Sequence, residues 1–120
     1  MTHYDKNNIF AKILRGEIPC KSVYEDEFAL AFHDINPAAK LHILVIPKGE
    51  YISFDDFATH APADLQTGFY KAVQAVAKQS GLIESGYRLI SNHGKDSGQE
   101  VPHYHVHVLG GQAVGPLVAA

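Results

Sequence analysis

Between positions 103 and 109 the chain reads HYHVHVL, three histidines separated by single residues. On a strand every second side chain faces the same way, so His103, His105 and His107 would line one surface. Tyr104, Val106 and Val108 would turn to the other, and their apolar character suits a core. A helix would scatter the three imidazoles around its axis. The segment is therefore read as a strand with one face on the core and one on a cleft.

The neighbouring sequence supplies partners for such a strand. Ser22 to Glu25 and Phe28 to Asp34 read as two strands around an acidic turn, and Leu41 to Ile46 as a central strand stopped by Pro47 and buried on both faces. Gly86 to Asn92 reads as another strand before the histidine segment. From Pro62 to Ser80 the residues Leu65, Phe69, Ala72, Val73, Val76 and Ala77 recur at steps of three and four, which predicts one long helix. Ile9, Phe10, Ile13 and Leu14 have the same spacing, predicting a short N-terminal helix capped by Asp5 and ended by Gly16 and Pro19. The expected class is α+β, a five-stranded antiparallel sheet with the long helix on one face. With 120 residues, no internal repeat and no linker composition, the chain is read as one domain over 1–120.

Charge narrows the partners. Ten basic residues against 13 acidic ones give a net charge of -3, too little positive field for long nucleic acid. No segment approaches the ~20 apolar residues that span a bilayer, so no membrane partner is expected. The opening MTHYDKNNIFAKILRG lacks a basic start followed by an apolar run, and Cys20 is the only cysteine, so a cytoplasmic protein is expected.

Imidazole, with an ordinary pKa near ~6.5, offers a neutral nucleophilic nitrogen at pH 7. Three on one surface can be half-buried structural residues, or a metal site on HxH with Glu100 or His42 as a further ligand, or a nucleophile with an anion binder. The segment Asn92 to Glu100 carries Gly94 and Gly98, whose flexibility lets backbone N–H groups approach a phosphate. Asp34, at the end of an apolar strand, is placed to accept hydrogen bonds from a ribose.

The pattern H-φ-H-φ-H-φ-φ, with φ apolar, is matched by His103 to Leu109 and resembles the motif that names the histidine triad (HIT) family. The following Gly110-Gly111 is similar to its Hint branch, the histidine triad nucleotide-binding proteins. NNIFAKILRGEIP, FALAFHDINP, LHILVIPK and SNHGKDSGQEVPH resemble segments of that branch in the same order, so the likeness covers most of the chain. It implies a HIT-like fold and a homodimer whose two sheets join into one of ten strands. The implied activity is hydrolysis of purine nucleoside 5′-phosphoramidates or acyl-nucleotides at the α-phosphorus, releasing the nucleoside monophosphate, with no metal or organic cofactor.

Position by position, the resemblance makes His105 the nucleophile of a nucleotidyl-histidine intermediate and His107 a charge-stabilising phosphate binder. His103 and His42 become supporting histidines. Asp34 matches the ribose carboxylate; Asn92, Gly98 and Gln99 match phosphate-loop positions. Ile9, Phe10, Phe32, His33 and Ile35 correspond to the pocket around the purine. Glu100 stands where animal members carry a serine, a candidate proton donor to the leaving amine. A nucleotide-binding scaffold without turnover and a metal-dependent hydrolase are the competing readings.

Overall fold

The computed structural model describes residues 3–118, so the ends of the expected 1–120 domain, residues 1–2 and 119–120, lie outside the described residues. Strands β1 (Ser22–Glu25), β2 (Ala29–His33), β3 (Leu41–Pro47), β4 (Tyr87–Ile90) and β5 (Val106–Gly110) form one antiparallel sheet in the order β1-β2-β3-β5-β4. Helices α1 (Ile9–Leu14), α2 (Phe54–His60) and α3 (Ala63–Gln79) complete the chain.

Alternation along the central strands builds two cores. Ile43 and Val45 of β3, with Val106 and Val108 of β5, pack towards α3 against Phe69, Val73 and Val76. Leu44 and Ile46 point the other way and join Phe10, Leu30 and Phe32, with Ile13 and Leu14 of α1 packed against them. Burying each such side chain contributes about 1.5–3 kcal/mol, so the near-continuous apolar run of β3 is explained by the layers on both of its faces. Gly68 in α3 is required by packing: a Cβ there would lie 2.3 Å from the Phe28 ring, which crosses the helix at that point.

Several boundaries differ from the sequence reading. Asp5 is not the cap of α1; Asn8 is, its side-chain oxygen accepting from Ala11 N–H at 2.9 Å, while Asp5 accepts from Asn7 N–H and Asn8. Phe28 lies outside β2, in the acidic turn where its N–H and that of Ala29 both donate to Asp26 Oδ1. Pro47 belongs to β3, paired with Ala29 at its end. Helix α2 was not anticipated: seven residues with Phe57 as the one buried position are too few to show a period, although Asp55 and Asp56 in the first turn favour a helix N-terminus.

The histidine strand is also shorter than expected. β5 begins at Val106, because the ladder with β3 ends at Val45↔Val106 and β4 ends opposite His107. Ahead of it, Tyr104 N–H leaves the ladder to donate to Tyr51 O at 2.7 Å. His103 and His105 therefore precede the strand.

Candidate active site

Although His107 alone of the three lies within β5, the alternation persists upstream. Tyr104 packs in the α3-side core against Phe57 and Phe69, with ring centroids 4.9 and 5.3 Å away. His103 and His105 face α1, where the Phe10 ring stands edge-on to both at 6.3 and 5.0 Å, and His105 lies 5.0 Å from His107. One face of the sheet thus carries all three imidazoles, as expected.

Burial is the first cause of a lowered pKa at every histidine of the cluster. His103, fully buried, is pushed down to about 4, against the opposing Pro47 carbonyl. His107 is also pushed down to about 4, by burial and then by His105 and His42. His105 and His42 are lowered in the same direction, each partly offset, by the His103 carbonyl and by Asp34 respectively. All four are neutral at pH 7, so each carries one ring proton and its partners decide where.

Two chains of hydrogen bonds fix those protons. His105 Nδ1 lies 2.7 Å from the His103 carbonyl, which can only accept, so Nδ1 holds the proton and Nε2 keeps a lone pair. His42 Nδ1 accepts from Ala38 N–H at 2.9 Å, so its proton sits on Nε2 and donates to His107 Nδ1 at 2.8 Å, with Asp34 Oδ2 at 3.4 Å. His107 is left with its proton on Nε2. Two imidazoles two residues apart thus present opposite chemistry, a lone pair on one and an N–H on the other.

Both histidines line a polar pocket of about 370 Å³, together with Asn92, Gly98, Asn36 and Glu100. Beside it opens a wider, mainly apolar cleft of about 1180 Å³, whose walls include Ile9, Phe10, Phe32, Ile35 and Leu44. Asp34, Glu100 and Phe10 border both spaces, and His33 and His42 border the cleft. Asp34 is partly engaged, its Oδ1 accepting from Asn36 N–H at 2.8 Å. Of the expected site residues, the supporting His103 and the phosphate-loop Gln99 border neither space. Gln99 instead binds the loop to itself and to the chain before α2: its oxygen accepts from Gly94 N–H, and its amide donates to Ile52 O and Val101 O. His93 Nδ1 lies 2.7 Å from Ser53 Oγ, a second tie between loop and α2.

Asn36, Tyr4, Ser53 and His93 were not singled out from sequence. Asn36 was legible only as one residue beyond the Asp34 turn; the others act across separations that no local pattern reports. The sole group of metal-ligand type among the described residues is Asp34, His42 and His107, with one ligand atom from each within 4.8 Å of the others. The expected alternative used HxH with Glu100 or His42; His42 and His107 are in the group, Glu100 is not.

A match to the HIT domain covers residues 15–114. The chain belongs to the HIT family. An uncharacterized 13.2 kDa HIT-like protein of Azospirillum brasilense is 57% identical over 115 residues, spanning 96% of this chain and 94% of that protein. The purine nucleoside phosphoramidase of Escherichia coli K12 is 42% identical over 114 residues, 95% of each. Among solved structures, a HIT family hydrolase of Clostridium thermocellum superposes with a TM-score of 0.86 at 41% identity, over 96% of this chain and 99% of that one. The five-stranded HIT fold expected from the motif is thereby established.

Proposed function

We propose that this chain is a hydrolase that binds purine nucleotides and cleaves nucleoside 5′-phosphoramidates or acyl-nucleotides at the α-phosphorus. The observation that carries the reading is the tautomer pair: His105 offers an Nε2 lone pair and His107 an Nε2–H, both bordering one pocket. The similarity to a purine nucleoside phosphoramidase supports the substrate class.

His105 Nε2 attacks phosphorus, the P–N or P–O bond to the leaving group breaks, and the departing amine or carboxylate leaves with the bonding pair. An amine needs a proton at that moment, and Glu100, exposed at the junction of the two spaces, is the proposed donor. The His105 ring becomes cationic in the nucleotidyl intermediate, and its Nδ1–H bond to the His103 carbonyl strengthens with that charge. Water then attacks phosphorus, its proton goes to the Glu100 carboxylate, and the monophosphate departs. Charge on the non-bridging oxygens is met by His107 Nε2–H and by the donors of Asn92 and the Gly98 turn. Asp34 is assigned to the ribose, and Ile9, Phe10, Phe32, His33 and Ile35 to the purine. Gln99 serves by holding the loop.

The working form is proposed to be a cytoplasmic homodimer joined along β4, where Tyr87 and Leu89 are 39% and 48% exposed on an edge strand. Its one charge is occupied, Arg88 donating to Gly115 O and Pro116 O. Among the described residues no helix is long and apolar enough to cross a membrane.

The test is His105→Asn. Turnover of a fluorogenic purine phosphoramidate should fall by at least ~10³, about 4 kcal/mol in the barrier, while monophosphate affinity changes by less than about tenfold. Near-normal turnover removes the nucleophile, and a wild type without turnover favours a nucleotide-binding scaffold. The Asp34, His42 and His107 group gives a metal-dependent hydrolase its specific support. Loss of turnover on chelation with recovery on added zinc would establish that reading instead.

A further inference from the structure

His103 is the most buried of the histidines yet borders neither cavity, so what it does for the site must pass through its bonds. Its Nε2 lies 3.1 Å from Pro47 O, an acceptor only, which places the ring proton there. Nδ1 then holds a buried lone pair that needs a donor. The hydroxyl of Tyr4, at 2.6 Å, supplies it from 99 residues away in sequence. The Tyr4 ring also stands edge-on to His103, centroids 5.6 Å apart.

We infer that Tyr4 is a positioning residue for His105: its hydroxyl holds the His103 ring, and the carbonyl of that same residue holds the proton on His105 Nδ1. The inference rests on the reading of His105 as nucleophile given above. A ring pinned at both nitrogens, to the end of β3 and to the N-terminal arm, cannot turn about its bonds without losing one of them. Residue 103 lies before β5, outside any ladder, and the peptide plane that carries its carbonyl is held by one backbone bond, Tyr104 N–H to Tyr51 O. The pinned His103 side chain supplies the second hold. The arm that carries Tyr4 is itself tied to α1, since Asn8 Nδ2 donates to Asp5 O at 2.7 Å and Arg15 Nη1 to Lys6 O at 2.9 Å. Burial raises the Tyr4 phenol above its ordinary range, so it remains an O–H donor at neutral pH.

Without the hydroxyl, the His103 lone pair is left in a dry site and the ring shifts towards water or another donor. The carbonyl is then held only through the Tyr104 N–H bond to Tyr51 O, and the looser plane lets His105 place its proton part of the time on Nε2, the form that cannot attack. Such an effect lowers the population of competent enzyme without touching the nucleotide.

The experiment compares the full chain with Tyr4→Phe and Tyr4→Leu. Tyr4→Phe should lower kcat about tenfold, ~1.4 kcal/mol, with KM within about twofold. Tyr4→Leu should cost no more in kcat than Phe does, its lost ring packing appearing as a lower Tm. Long-range nitrogen NMR of the histidines, recorded without substrate, should show His105 protonated at Nδ1 in the wild type and a mixture of both tautomers in Tyr4→Phe. Wild-type kcat in Tyr4→Phe, or a fall in kcat with the His105 tautomer unchanged, overturns the inference. Should the wild type prove inactive on phosphoramidates, the substrate reading fails, and the two spectra still decide what Tyr4 does to His105.

Discussion

His42 borders the wide cleft and bonds to His107 of the polar pocket, and replacing it by phenylalanine should disable His107 without removing it. In the structure His107 Nδ1 accepts from His42 Nε2–H at 2.8 Å, and only for that reason does its own proton sit on Nε2. Phenylalanine fills the space but donates nothing. The polar group then left near the His107 ring on the His42 side is the Asp34 carboxylate, with an oxygen within 4.8 Å of one of its ring nitrogens, and this acceptor draws the proton to Nδ1. His107 Nε2 would present a lone pair to an anion in place of a donor. Removing one preorganised donor from a developing oxyanion costs about 10²–10³ in kcat, ~2.7–4 kcal/mol. Steady-state turnover of a purine phosphoramidate by His42→Phe should fall within that range. His42→Gln, whose amide can still donate to His107, should recover part of the loss. If His42→Phe keeps kcat within about threefold of wild type, under ~1 kcal/mol in the barrier, the tautomer argument is wrong.

Two further outcomes follow from burial. His103 is held near pKa 4 when folded against an ordinary 6.5, so the unfolded chain takes up its proton first as pH falls. The stability that depends on its neutral form is complete above pH 6.5 and is lost as pH falls towards 4. From pH 6.5 to pH 5, before most carboxylates titrate, His103 should remove about 1.5 kcal/mol of stability, and His107, also held near 4, adds a loss of the same sign; a flat denaturant-unfolding profile over that window contradicts it. At micromolar concentration the light-scattering mass should be near twice the 13.1 kDa of one chain, and a mass equal to one chain removes the β4 interface.

Much of the fold could be read because its signals are periodic. Leu41 to Pro47 is apolar on both faces because two layers cover it, and Leu65 to Ala77 repeats at helical steps because one stripe is buried. The shared face of the three histidines was legible for the same reason. What was not legible depends on single bonds between distant segments. The strand could not be seen to begin only at Val106, because that boundary is set by Tyr104 N–H turning to Tyr51 O. Gln99 resembles a phosphate-loop residue by position, yet its amide is consumed by Gly94, Ile52 and Val101. Helix α2 is too short to carry a period.

The two central histidines show why side-chain identity alone does not assign a role. His105 and His107 are the same residue on the same face, both neutral, and 5.0 Å apart. Their difference enters at Nδ1, where one meets the carbonyl of His103 and the other an N–H that traces back through His42 to the backbone of Ala38. A backbone carbonyl can only accept and a backbone N–H can only donate, and neither titrates in the working range. The assignment of lone pair to His105 and proton to His107 is therefore anchored at its two ends by backbone groups, and it holds while His105 and the intervening His42 stay neutral. It also means that the proton positions belong to the places in the fold: on the proposed mechanism a histidine at 107 donates and one at 105 attacks. Exchanging the roles would take new backbone partners, not new side chains in the triad.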